Sequence, residues 1–150
     1  MAASKKESKS GSDKAAEYLR ILLDNTIKGF VLLDKDYKIL MYNTVADKGM
    51  KFFYNKPMQE SASYWDYVDK RDNSSFIRHF EKAFSGKKIT TEKALKNPKG
   101  ETIWIEASFV PVFDKKNKVA SVLYSYLNIT EKKEAEKALS ESEASLRAVF

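Results

Sequence analysis

The chain has no cysteine. That absence removes disulfides, thiolate zinc sites, thiol nucleophiles and chromophores bonded through sulfur. It fits a reducing cytoplasm, the location expected for this chain. The five glycines are scattered, without the clustered spacing that cradles a nucleotide phosphate. No apolar run approaches the ~20 residues that span a bilayer. The longest, Phe30 to Leu33, is strand-sized, so no membrane insertion is expected. Residues 1–12 are rich in Ser, Lys and Ala and lack the apolar stretch of a signal peptide. They read as part of a disordered lead, residues 1–13. Charge of one sign is not concentrated anywhere. The net charge is +6, but lysines alternate with acids, as from Glu131 to Lys137, and no nucleic-acid partner is expected. No acid, base and nucleophile come together, so no catalytic residue and no metal site are assigned; this segment is not expected to be an enzyme.

What is present is an ordinary apolar fraction, 43%, with a high aromatic share, 13%. Aromatic side chains fill a core or line a cavity equally well. The periodicity of Ala15, Leu19, Leu22, Leu23 and Thr26 predicts a helix over 14–26, with Asp13 as N-cap. Two short apolar runs, 29–33 and 38–42, flank Asp34, Lys35 and Asp36 and predict a hairpin. Asn43 is placed to cap a short helix through Lys48. An irregular, aromatic-rich stretch follows, of the kind that wraps over a sheet. Phe76, Ile77, Phe80, Ala83 and Phe84 mark one face of a helix over 72–84. Three strands come next, 89–96, 101–113 and 118–129, separated by turns at 97–100 and 114–117. A last helix starts at Thr130. Strands grouped at both ends of a helical middle indicate an α+β fold with an antiparallel sheet.

Both sheet faces are apolar. Ile105, Ala107 and Phe109 share one face of the second long strand, with Trp104, Val110 and Val112 on the other; Val122, Tyr124 and Tyr126 oppose Leu123 and Leu127 on the third. An antiparallel sheet with one wet face alternates more cleanly. One face is therefore expected under the middle helices, and the other under a terminal helix or a partner chain.

Specific residues carry a family resemblance. Gly29-Phe30-Val31-Leu32-Leu33-Asp34-Lys35-Asp36, with Ile39 and Asn43, resembles the opening hairpin of the PAS family. Gly100, Trp104-Ile105-Glu106-Ala107-Ser108, Pro111 and Asp114 resemble its penultimate strand. Asn128-Ile129-Thr130-Glu131-Lys132-Lys133-Glu134-Ala135-Glu136 resembles its closing motif and signalling helix. The resemblance runs from about Leu19 to Leu139. It implies a PAS-like five-stranded antiparallel sheet with helices over one face and flanking helices at both ends. It also implies a sensor module over 14–130, a signalling helix or coiled-coil linker over 131–150, and a longer parent signalling protein such as a multi-PAS sensor histidine kinase of a two-component system. Any kinase or cyclase activity would lie elsewhere in that parent. The family usually has Asp where this chain has Asn128, so a charged pair joining the sheet to the outgoing helix is expected to give way to neutral hydrogen bonds. Leu19-Arg20-Ile21-Leu22-Leu23 and Leu146-Arg147-Ala148-Val149-Phe150 repeat one pattern, which reads either as the start of a second module or as coincidence between amphipathic helices.

Some PAS modules hold haem through a helix histidine, but His79, the one histidine, sits about 100° from its helix's apolar centre at ~100° per residue. No resident cofactor, haem or noncovalent flavin, is expected. The candidate ligand site lies between the sheet and the middle helices: Val31, Leu33, Leu95, Ile105, Ala107, Phe109, Tyr124 and Tyr126 from the strands, Phe76 and Phe80 from above. The same residues also describe a packed core with its tyrosines bonded to backbone or water. Asn128 and Thr130 are assigned to signal relay, Thr130 as N-cap of the outgoing helix. Ala135, Leu139, Ser142, Leu146 and Val149 form a two-heptad seam for a homodimer. A small-molecule sensor and a ligand-free dimerisation and relay module both satisfy this pattern; neighbouring domains of the parent are partners in either.

Overall fold

The computed structural model describes residues 11–149. Its elements run α1 (Gly11–Asp24), β1 (Gly29–Asp34), β2 (Ile39–Tyr42), α2 (Thr44–Tyr54), two single 3₁₀ turns (Tyr64–Asp66 and Lys70–Asp72), α3 (Ser74–Phe84), β3 (Ile89–Lys96), β4 (Thr102–Phe113), β5 (Val119–Asn128) and α4 (Thr130–Val149). The α+β reading and the flanking helices at both ends are borne out. The first helix begins earlier than expected and takes in residues 11–13, so Asp13 lies in its first turn instead of capping it. The rest of the expected lead, residues 1–10, and Phe150 lie outside the described residues.

One turn design closes all three hairpins. Asp34, Asn97 and Asp114 each sit at the end of a strand, and each side-chain Oδ1 accepts from the backbone N–H groups two and four residues on, at 2.8–3.0 Å. The residue three positions on has positive φ in every case: Tyr37 at 62°, Gly100 at 80° and Asn117 at 61°. The carboxylate or amide thus holds a type I turn followed by a left-handed residue, which matches the twist of the flanking strands. Tyr37 is the costly member, since a bulky side chain disfavours that region. Its ring is held between Phe80 (centroids 4.3 Å) and Trp65 (4.9 Å).

The sheet order is β2-β1-β5-β4-β3, and every neighbouring pair is antiparallel. The first and last strands in sequence therefore pair at its centre, Val31 opposite Tyr124 and Leu33 opposite Val122. The helices α2 and α3 cover one face. Val31, Leu33, Ile39, Phe109 and Val122 are fully buried beneath them.

Of the two covers expected for the opposite face, a terminal helix or a partner chain, α1 is not one. The helix α1 buries no residue. It is tied instead to the start of α2, where the Asp24 carboxylate accepts from the Thr44 N–H and hydroxyl, both at 2.9 Å. Phe30, Leu32, Val110, Leu123 and Leu127 consequently stay half-buried on the outer face, and Leu40 and Val112 are exposed. The physical reason is the short link between α1 and β1, which keeps α1 beside the β2–α2 corner. Asn43, only 2% exposed, locks that corner. Its Oδ1 accepts from Phe30 N–H (2.9 Å) and Ala46 N–H (3.0 Å), and its Nδ2 donates to the Leu23 and Lys28 carbonyls (2.7 and 2.8 Å). It caps α2 as the sequence predicts, and it also joins the end of α1 to the first strand.

Candidate functional site

Between the sheet and the two covering helices lies a cavity of about 80 Å³. Six backbone elements build it. Strand alternation turns Lys93 and Leu95 of β3, Ile105 of β4, and Tyr124 and Tyr126 of β5 toward the helices. Gly49, Met50, Phe53 and Tyr54 come from α2, Tyr64 from the first 3₁₀ turn, and Asn73 and Phe76 from the start of α3. A second recess of about 300 Å³ adjoins it between α3 and β3, sharing Phe76, Lys93 and Tyr124 with the first and adding Ser75, Arg78, His79, Thr91, Glu92, Ala107 and Phe109.

The floor is aromatic. Phe76 stacks on Tyr64 with centroids 4.7 Å apart, and meets Phe109 and Tyr124 edge-on at 5.1 Å each. Offset and edge-to-face contacts of this kind are the favoured geometries, and they set a rigid wall. Tyr126 occupies a slot made by two glycines. A Cβ built on Gly29 would overlap its ring, and one on Gly49 its hydroxyl. The sequence signal was available, since glycine in mid-helix costs about 1 kcal/mol relative to alanine and asks for a packing reason.

The tyrosine hydroxyls divide into two groups. Tyr42 donates to the Met58 carbonyl at 3.0 Å. Tyr67 donates to the Pro57 carbonyl at 3.0 Å and accepts from Gln59 N–H at 2.9 Å. Both are satisfied by the protein. Tyr126 reaches only the Val45 and Ala46 carbonyls, at 3.3 and 3.5 Å. Among the described residues, no hydrogen bond is made by the hydroxyls of Tyr64 or Tyr124, and no fully enclosed side-chain polar atom lacks a partner. The two hydroxyls therefore open onto the cavity. Burial drives the proton affinity of all three upward. Tyr64 and Tyr124 are raised well above the ordinary tyrosine value, and Tyr126 is pushed up to about 12. They act as neutral donors at physiological pH.

Half of the sequence-assigned pocket residues line the cavity: Phe76, Leu95, Ile105, Tyr124 and Tyr126. Ala107 and Phe109 line the adjoining recess. Val31 and Leu33 do not line either space and are packed core, since both are fully buried on β1 beneath the covering helices. Phe80 belongs to a groove on the far side of α3 with Tyr37 and Phe84. His79 is half-buried at the recess with its ring 5.6 Å from that of Phe109. Among the described residues no cluster of His, Asp and Glu is arranged to hold a metal ion.

At the exit, the structure corrects the role given to Thr130. Its Oγ1 does not cap the first turn of α4. It accepts from Trp104 N–H of β4 at 3.0 Å and donates to Asn128 Oδ1 at 2.6 Å. The Asn128 oxygen takes the Thr130 N–H as well, at 3.0 Å, and Ile129 N–H reaches the Trp104 carbonyl at 2.9 Å. The chain crosses from β5 into α4 still in register with β4, so the hydroxyl is spent on the neighbouring strand. Neutral bonds at Asn128 are as expected. A charged link survives one turn further on, where Lys133 ion-pairs with Glu92 of β3 and sits 5.2 Å over the Trp104 ring. The seam residues Ala135, Leu139, Ser142, Leu146 and Val149 fall within an arc of about 80° at 100° per residue. In the single chain they are exposed, Leu139 by 61%, Leu146 by 58% and Val149 by 79%.

Comparisons with known proteins agree with this architecture. A family model described as PAS fold matches residues 23–134. None of the curated proteins matches the chain. Among solved structures, the PAS domain of a Colwellia psychrerythraea protein is 16% identical, with a TM-score of 0.59, and the match covers 78% of this chain and 98% of that one. A sensory box histidine kinase/response regulator from Burkholderia thailandensis is 13% identical with a TM-score of 0.58, covering 87% and 98%. The phage VqmA–DPO complex is 17% identical with a TM-score of 0.63, covering 87% of this chain and 61% of that one. A central pairing of first and last strands, a cavity roofed by the helices between them, and a family match over most of the length converge: the chain belongs to the PAS fold family, whose members are sensory signalling modules.

Proposed function

We propose that this chain is the small-molecule-sensing module of a larger signalling protein, a sensor histidine kinase, and performs no catalysis itself. The ligand occupies the cavity between the sheet and α2–α3. The observation that carries this reading is the pair of tyrosine hydroxyls, Tyr64 and Tyr124, that open onto the cavity without a hydrogen-bond partner among the described residues. A polar group in an apolar wall is stabilised when something bonds to it, and a ligand supplies that bond. The VqmA structure, titled as a complex with DPO, is a precedent for a bound molecule on this fold. The signal leaves along β5: Tyr124 and Tyr126 in the cavity are four and two residues from Asn128, which with Thr130 ties β4 to the start of α4. Two packings of the α4 seam in a homodimer are the bistable element. The setting is cytoplasmic, consistent with no described helix being long and apolar enough to cross a membrane.

Native mass spectrometry of the purified protein tests the reading. A stoichiometric bound mass that is lost on denaturation is expected. No Soret or flavin band is expected, because the ligand is exchangeable and not a resident cofactor. A second reading is a ligand-free dimerisation and relay module. It is favoured by the half-buried apolar residues on the outer sheet face and by the exposed stripe of α4. A dimer that carries no bound mass, and gains none from cell extract, would establish that reading instead.

A further inference from the structure

The recess that adjoins the cavity has a chemistry the floor lacks. Arg78 and His79 of α3 and Lys93 of β3 line it, and Lys93 and Tyr124 belong to both spaces. Lys93 occupies a helix-facing position of its strand, between Thr91 and Leu95, where a residue serving only the core would be apolar. Among the described residues, Arg78, His79 and Lys93 form no ion pair and no side-chain hydrogen bond. One carboxylate, Glu92, also lines the recess, and it is ion-paired with Lys133 of α4. The charges that act on His79 are all cations, Arg78, Lys82 and Lys93, and with burial they lower its pKa. The mouth therefore sets two cations, Arg78 and Lys93, beside a carboxylate that Lys133 already pairs, above an aromatic chamber.

Two further features point the same way. The first turn of α3 lies on this wall, with Asn73 in the chamber and Ser75 in the recess. Its N-cap residue, Asn73, makes no side-chain bond to that turn and instead donates Nδ2 to the Asp69 carbonyl at 2.7 Å. The positive end of the helix dipole is left to whatever occupies the wall. Inside, the Tyr64 and Tyr124 hydroxyls supply donors to an oxygen acceptor.

Resting on the sensor reading above, we propose that the ligand is a small apolar monocarboxylate. Its body, a single ring or a short branched chain, spans the chamber and the adjoining recess, and its carboxylate sits where the two meet, between Lys93 and the Tyr124 hydroxyl, the two polar residues common to both spaces. The chamber's size sets the limit on the body: about 80 Å³ is less than the ~150 Å³ of a dry cavity known to admit benzene, so a ring enters edge-first and extends toward the recess. The charge sets the headgroup. One lysine common to both spaces, reinforced by Arg78 and a helix N-terminus, matches a single negative charge.

Benzoate and its neutral isostere benzamide are the probes, titrated into the ¹⁵N-labelled chain at fixed, low ionic strength and followed by amide shifts. Benzoate is expected to bind at least roughly tenfold more tightly than benzamide, with shifts centred on 73–80 of α3 and 91–95 of β3. Lys93→Met should bring benzoate to the affinity of benzamide and leave benzamide unchanged. Lys93 is exposed, so the variant keeps the wild-type spectrum elsewhere. If both probes bind equally, or the preference survives Lys93→Met, the carboxylate assignment is wrong and the sensor reading stands. Shifts that map away from α3 and β3 also overturn the assignment. If neither probe shifts these amides and native mass spectrometry finds no bound mass, both readings fall together.

Discussion

Replacing Thr130 with alanine removes one hydroxyl and two hydrogen bonds, the acceptor for Trp104 N–H and the donor to Asn128 Oδ1. The first loss dominates. A part-buried N–H left without an acceptor costs about 1–3 kcal/mol. A loss of 1–2 kcal/mol in the stability of a local closed state raises its open population about 5–30-fold. Native-state hydrogen exchange reads that directly. The Trp104 amide should exchange about 5–30 times faster, and the Ile129 amide, bonded to the Trp104 carbonyl at 2.9 Å, should follow it. Amides of β1 and β2, on the far side of the sheet, should not change. Thr130→Ser restores the hydroxyl and should restore Trp104 protection. The reasoning is refuted if Trp104 stays protected while the amides of 131–133 alone accelerate. That pattern would mean the hydroxyl caps α4 after all and does not hold the strand to the helix.

Other outcomes follow from the same geometry. Gly49→Ala should lower the melting temperature by destabilising about 1–3 kcal/mol, although the same change in a free helix stabilises; adding Tyr126→Phe should relieve it, because the clash is with the hydroxyl, and additive effects in the double-mutant cycle would disprove the slot. Absorbance at 295 nm should show Tyr64 and Tyr124 un-ionised until the protein unfolds. Their folded proton affinity is raised, so the stability they contribute is complete below the ordinary value of 10.0 and is lost above it, between 10.0 and about 12 for Tyr126; a native state equally stable at pH 9 and 11.5 would contradict the burial. Leu139→Asp with Leu146→Asp should shift sedimentation toward monomer, each leucine contributing about 1.5–3 kcal/mol if fully buried in the seam. A wild type already monomeric at tens of micromolar, roughly the range of weak association, would show that the seam does not suffice.

Local chemistry made much of the fold legible before any coordinates. Asp34, Asn97 and Asp114 announce hairpins because a short polar side chain bonds its own backbone a few residues on, whatever lies elsewhere. Asn43 announces a helix start for the same reason. Alternation along β4 and β5 placed Ile105, Tyr124 and Tyr126 on the helix-facing side, since the side-chain period of a strand is two residues and needs no partner to be read. Coarse function came with these pieces in their order.

The site is another matter. Five of the twelve residues of the cavity wall, Gly49, Met50, Phe53, Tyr54 and Tyr64, come from the stretch after Asn43 whose position over the sheet depends on contacts far away in sequence. The same alternation that placed Tyr124 correctly also nominated Val31 and Leu33, which the helices bury completely; periodicity assigns a face, but only packing decides which part of that face is filled. Lys93 meets Arg78 and His79 only because α3 packs beside β3. Thr130 looked like a cap because a threonine before a helix usually is one. In the folded chain its hydroxyl has a competitor, the Trp104 N–H brought alongside by the pairing of β4 with β5. Turns, caps and strand faces are set within a few residues, so the sequence determines them alone. Cavity walls and the partners of a single hydroxyl are settled between segments distant along the chain, and those meet only when the sheet closes.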